Sequence, residues 1–158
     1  MWVKGAARGL VERQLRPEPR VEWGAWLGER RLATAMIDLS DGLSSDLAHV
    51  CRESGVGATI DASLIPLDAR VKSAGVSAEE ALGFALDGGE DFELLFAVRP
   101  RDASKLPDAL GGVPVTRVGE MTGARGRLRL VHEGRARRLR PGGFEHFATA
   151  GARLARLV

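Results

Sequence analysis

From Leu94 to Val98 the chain reads Leu-Leu-Phe-Ala-Val, apolar at every position rather than at every second one. A strand points successive side chains to opposite faces, so such a run needs cover on both sides. It is also strand-sized, far short of what a bilayer requires. The spacing predicts a strand over Asp91–Val98 lying centrally in a sheet with helices packed over it. The fold class that follows is α/β or α+β, a mixed β-sheet covered by helices.

The flanking sequence supplies suitable helices. Lys4–Leu15 alternates apolar and charged residues at helical spacing until Pro17 and Pro19 stop it. Val21–Leu27 predicts a second, short helix whose Trp23 and Trp26 serve packing. Thr34–Leu39 is β-prone, and Ser40–Gly42 turns the chain. From Leu43 the period changes: Leu43, Leu47, Val50 and Cys51 share a helical face, and Gly55 is a stop signal. Ala58–Asp61 reads as a strand, followed by a loop holding Pro66. Ser77 with Glu80 three residues on forms a capping box for a helix reaching about Leu86. Asp102–Leu110 is expected to be helical. Val115–Met121 and Arg127–Glu133 are expected to form a hairpin, and Gly142–Val158 a short helical end. At 158 residues this is one domain, with its core over about 32–147.

Several function classes are disfavoured. The single cysteine, Cys51, excludes an internal disulfide and a cysteine-rich metal site. No secretory signal or membrane span is evident, so the expected compartment is the cytoplasm. From Met121 onward nine arginines face two acids, Glu133 and Glu145. That segment lacks interleaved aromatics, and its arginines alternate with leucines like the outer face of a strand, so nucleic-acid binding is not expected. His49, His132 and His146 fall into no metal-ligand or Ser–His–Asp arrangement. Neither a G-x-G-x-x-G after a strand nor a Walker A sequence is present.

The acids gather in two motifs. The first, Ile37-Asp38-Leu39-Ser40-Asp41-Gly42-Leu43, lies where a strand gives way to a helix. Asp38 sits between two apolar residues, where a buried charge requires water, a donor or a cation. Hard oxygens at Asp38, Ser40 and Asp41 suit magnesium, and helix-start amides suit phosphate. An N-cap at Ser40 or Asp41 is the competing explanation. The second motif, Asp87-Gly88-Gly89-Glu90-Asp91-Phe92-Glu93-Leu94-Leu95, sets acids between a Gly-Gly turn and a core strand. It reads either as a polar loop guarding a strand end or as a site in which Glu90 meets a cation or a cationic substrate.

Together these motifs, with Leu15–Arg20, Ser54–Asp61, Pro114–Thr122 and Gly143–Phe147, resemble the C-terminal domain of thiamine-monophosphate kinases. That family belongs to the superfamily of aminoimidazole-ribotide synthetase and selenophosphate synthetase. The resemblance implies magnesium-dependent phosphoryl transfer from ATP to thiamine monophosphate. It implies that Asp38 and Asp41 bind magnesium, Ser40 contacts ATP, and Glu90 contacts a cationic thiazolium. Phe144 would pack on the substrate ring. Family members carry an N-terminal domain as well, which supplies most magnesium-binding aspartates and much of the homodimer contact. The chain is therefore expected to be inactive alone. Two alternatives stand beside this expectation: a non-catalytic binding or assembly module that needs a separate N-terminal half, and another ATP-dependent member of the superfamily.

Overall fold

A computed structural model of the chain describes residues 5–143. Helix α1 (Gly5–Leu15) stops before the prolines and is followed by α2 (Val21–Glu29). Strand β1 (Ala33–Asp38) leads through a tight turn into α3 (Leu43–Ser54), which ends at Gly55 with φ 65°. That left-handed cap is the geometry for which glycine is the least strained residue. Strand β2 (Gly57–Asp61) precedes the short α4 (Ala69–Ser73) and then α5 (Ala78–Asp87). The expected capping box opens α5: Ser77 Oγ accepts from the Glu80 amide at 3.2 Å, and Glu80 Oε2 accepts from the Ser77 amide at 3.0 Å.

The remaining strands are β3 (Leu94–Val98), β4 (Ala109–Leu110), β5 (Val113–Pro114), β6 (Gly119–Thr122), β7 (Leu128–His132) and β8 (Arg135–Arg138). The largest sheet is mixed, in the order β6-β2-β7-β8, with β2 antiparallel to β6 and parallel to β7. Its inner face and helices α3 and α5 enclose the main core of Leu43, Leu47, Cys51, Ile60, Leu82, Leu86, Leu128 and Leu130. A smaller core gathers Trp23, Leu27 and Leu32. Among the described residues no helix is long and apolar enough to cross a membrane.

Four expectations are corrected. Strand β3 is not central: among the described residues it pairs only with β1, antiparallel, and each of its residues is half-buried. Its two apolar faces have another cause. Leu94 and Phe96 pack against the Trp23 core, whereas Leu95 packs against the main one. Asp102–Leu110 is not a helix but a 3-10 turn over Pro100–Lys105 followed by β4. Pro107 has no amide to donate and keeps Leu106 extended, at ψ 133°. The strand expected from Val115 begins only at Gly119. Finally, β6 and β7 form no hairpin, because β2 runs between them. The real hairpin is β7–β8, turned by Glu133 and Gly134 at φ 50° and 72°. Both values are what a two-residue type I′ turn needs. The helical end expected over Gly142–Val158 lies outside the described residues beyond Gly143.

The connection from β6 to β7 arches over the start of β2. The Gly126 amide donates to the Val56 carbonyl at 2.9 Å, and the Ala58 amide to the Arg127 carbonyl at 3.0 Å. A Cβ on buried Gly57 would collide with the carbonyl oxygens of Ala124 and Arg127. Gly57→Ala should therefore cost about 2–3 kcal/mol of unfolding free energy, readable as a lower urea midpoint with unchanged m-value. An unshifted midpoint would mean that the arch gives way freely.

Candidate functional site

The β1–β3 ladder continues beyond both strands and joins the two acidic motifs through their backbones. The Leu39 amide donates to the Glu93 carbonyl at 2.8 Å, and the Phe92 amide to the Leu39 carbonyl at 2.9 Å. The Glu90 amide donates to the Ser40 carbonyl at 2.8 Å. Reaching these partners takes the second motif through left-handed backbone at Gly89, Glu90 and Phe92, with φ of 67°, 57° and 50°. Glycine adopts that region freely, but Glu90 and Phe92 do so at a cost of order 1 kcal/mol each. Gly89 must also lie close, since a Cβ there would stand 2.9 Å from the Ser40 oxygen. Gly42, at φ 105°, faces the Asp87 backbone, where a Cβ would come within 3.0 Å of the Asp87 Cα.

The turn of the first motif is held from inside. Asp46, 1% exposed, accepts the Asp41 amide at 3.1 Å through Oδ2. Burial pushes its carboxyl pKa up, and hydrogen bonds from the Asp41, Ser40 and Gly42 amides oppose that rise. Helix α3 is capped by Gly42 without a side-chain hydrogen bond, so neither Ser40 nor Asp41 is its N-cap. The Asp41 amide, already engaged by Asp46, is not among those a phosphate could use.

Asp38 is exposed at the end of β1, so water supplies what a buried carboxylate would have lacked. Asp41 is half-buried. Neither carboxylate has a hydrogen bond or ion pair to another described residue, and no group of three or more potential ligands is arranged for a metal among the described residues. Ser40 is half-buried in the turn, with its carbonyl committed to Glu90. Glu90 is exposed, and its Oε2 accepts from Gln14 Nε2 at 3.0 Å. The fold thus brings Asp38, Ser40, Asp41 and Glu90 to one edge. Phe144 lies outside the described residues. The chain just before it is anchored there: Gly142 donates to Ser44 Oγ at 3.1 Å and Gly143 to Ser45 Oγ at 3.2 Å. Ser44 Oγ in turn donates to Asp87 Oδ1.

Sequence reasoning passed over the residues that support this edge. Asp46 is an acid on the apolar face of a predicted helix, between Leu43 and Val50, and that misfit was its signal. Arg20 grips Glu93 with two bonds of 2.8 Å, and Arg13 pairs with the same carboxylate. Nothing local in the sequence links residues so far apart.

The family model described as AIR synthase related protein, C-terminal domain, matches residues 11–131. This chain belongs to that family. The thiamine-monophosphate kinase of Escherichia coli (strain K12) is 45% identical over 142 residues, which is 89% of this chain and 43% of that protein. The solved structure of AaThiL complexed with AMPPCP and TMP superposes with a TM-score of 0.74 at 27% identity, over 92% of this chain and 43% of the other. Thiamine-monophosphate kinase from Stenotrophomonas maltophilia K279a gives 0.67 at 31% identity, over 79% of this chain and 39% of that one. The chain spans less than half the length of these relatives.

In this AIR synthase-related domain the Glu93 clamp titrates in a defined direction. The Arg20 hydrogen bonds, with Arg13 beside them, hold its pKa below the ordinary 4.5. A depressed carboxylate pKa contributes stability that is fully present above the unfolded-state value and is lost as pH falls through the folded-state value. With a third of the side chain still in water, Glu93→Gln should cost about 1–2 kcal/mol at pH 7. The gap to wild type should narrow as the pH falls below about 4.5, seen in urea melts across pH. A gap constant down to pH 3 would sink the assignment.

Proposed function

We propose that this domain is the C-terminal half of a thiamine-monophosphate kinase, which transfers the terminal phosphoryl group of ATP to thiamine monophosphate and releases ADP and thiamine diphosphate. The observation that carries the reading is the Glu90–Ser40 backbone bond, which ties the main chains of the two acidic motifs together at the candidate residues. The similarity to thiamine-monophosphate kinases supports the choice of reaction.

Asp38 and Asp41 present hard oxygens with no cation partner among the described residues, a donor set that fits magnesium completed by phosphate and water. Bound there, magnesium would supply charge neutralisation on the transferring phosphates. Ser40 would touch ATP. Glu90 would face the cationic thiazolium, and Phe144 would lie against the substrate ring. Both substrates are multiply charged and membrane-impermeant, which supports the cytoplasm as the place of action. The complete enzyme would be a homodimer whose contacts come largely from its other half.

Two carboxylates make only part of a magnesium shell, so the domain by itself should bind but not turn over. Isothermal titration of thiamine monophosphate, with magnesium and a non-hydrolysable ATP analogue, should show weak binding. Asp41→Ala and Glu90→Ala should each weaken it about tenfold, or 1.4 kcal/mol. Unchanged affinity in both variants would refute these roles. Thiamine diphosphate formed from ATP by the purified domain would refute the dependence on a second half.

A further inference from the structure

The second acidic motif is tied to a part of the chain more than seventy residues earlier, and the ties differ in kind. Arg13 and Arg20 both pair with Glu93, Arg20 with its side chain only 14% exposed. Gln14, between them in sequence, donates to Glu90 Oε2 at 3.0 Å. Both guanidinium groups hydrogen-bond Glu93, whereas Glu90 receives a neutral amide. A neutral donor can fix the direction of a carboxylate without cancelling its charge.

The backbone agrees with this division. Glu90 has left-handed backbone geometry and its amide is committed to Ser40, so its main chain is already set. What remains free is the side chain, and Gln14 restrains that. We propose that Gln14 is a positioning residue for Glu90, holding its carboxylate oriented toward a cationic ligand. The Arg13–Glu93–Arg20 pairing keeps the end of α1 within reach of the motif. The part of this concerning a ligand rests on the functional reading above; the part concerning orientation does not.

Two measurements on the whole chain separate these parts. The first needs no ligand: side-chain scalar couplings report whether Glu90 keeps one χ1 rotamer. Gln14 is exposed, so substitutions there should leave the rest of the amide spectrum in place. Wild type should show one rotamer, Gln14→Ala an average, and Gln14→Lys, which keeps a donor, one rotamer again. A Glu90 side chain equally averaged in wild type and Gln14→Ala would overturn the proposal.

The second measurement is titration with thiamine monophosphate. Gln14→Ala should weaken binding about fivefold, the scale of one hydrogen bond, and leave affinity for the ATP analogue unchanged. The effect should vanish in a Glu90→Gln background, as expected of two residues acting through one contact. Gln14→Lys should weaken binding as well, despite restoring the rotamer, because its charge offsets that of Glu90. If Gln14→Ala frees Glu90 but leaves thiamine monophosphate affinity intact, the link from orientation to ligand is overturned. If wild type binds no thiamine monophosphate while its Glu90 is held, the functional reading fails and the orientation role is upheld.

Discussion

The hydrogen bond from the Glu90 amide to the Ser40 carbonyl is the constraint around which the rest of the site is arranged. It lies past the ends of both strands, where an ordinary antiparallel pair would splay into a loop. Keeping the pairing there forces left-handed backbone at Gly89, Glu90 and Phe92. It presses Gly89 onto Ser40, and on the other side of the turn Gly42 meets Asp87. The strain is local, and its counterweights are distributed. Asp46 holds the turn of the first motif from within the core, and Arg20 holds Glu93 from outside it. Strain of this kind persists only where its surroundings over-determine it.

The two-stranded β1–β3 ladder can bear this because it stands between two cores. Phe96 stacks on Trp23 with ring centroids 6.0 Å apart, and Trp23 Nε1 donates to the Val113 carbonyl at 3.0 Å. Leu95, on the opposite face, joins the main core beneath α3. A lone pair of strands is marginal in water. Here the ladder is fastened on both faces by side chains rather than on both edges by further strands. The apolar run from Leu94 to Val98 is a record of that double fastening.

What could be read from the sequence is what depends on near neighbours. The capping box at Ser77 and Glu80, the stop at Gly55 and the turn between β1 and α3 are all local, and all formed. Membership of the family was legible too, because the two acidic motifs carry the resemblance. The failures were of two kinds. Pro107 was a local signal passed over inside a supposed helix. The insertion of β2 between β6 and β7 had no local signal at all. It rests on the close approach of Gly57 to the arch from Thr122 to Arg127, a contact between segments far apart in the chain. The same holds at the site: Asp38, Ser40, Asp41 and Glu90 stand out in sequence, while the residues that brace them are visible only once the chain is folded.

The acids of the two motifs divide by how they are satisfied. Asp46 is served by backbone amides, Asp87 by Ser44, and Glu93 by two arginines. These three fasten the two motifs to the rest of the domain. Asp38 and Asp41 have no such partner among the described residues, and Glu90 has only a neutral one. Arg13 and Arg20 converge on Glu93, three residues from Glu90. Among the described residues, then, the arginines at this edge hold it in shape, and none pairs with Asp38, Asp41 or Glu90. That division fits the proposed reading, in which a metal ion and a positively charged substrate would meet those three carboxylates.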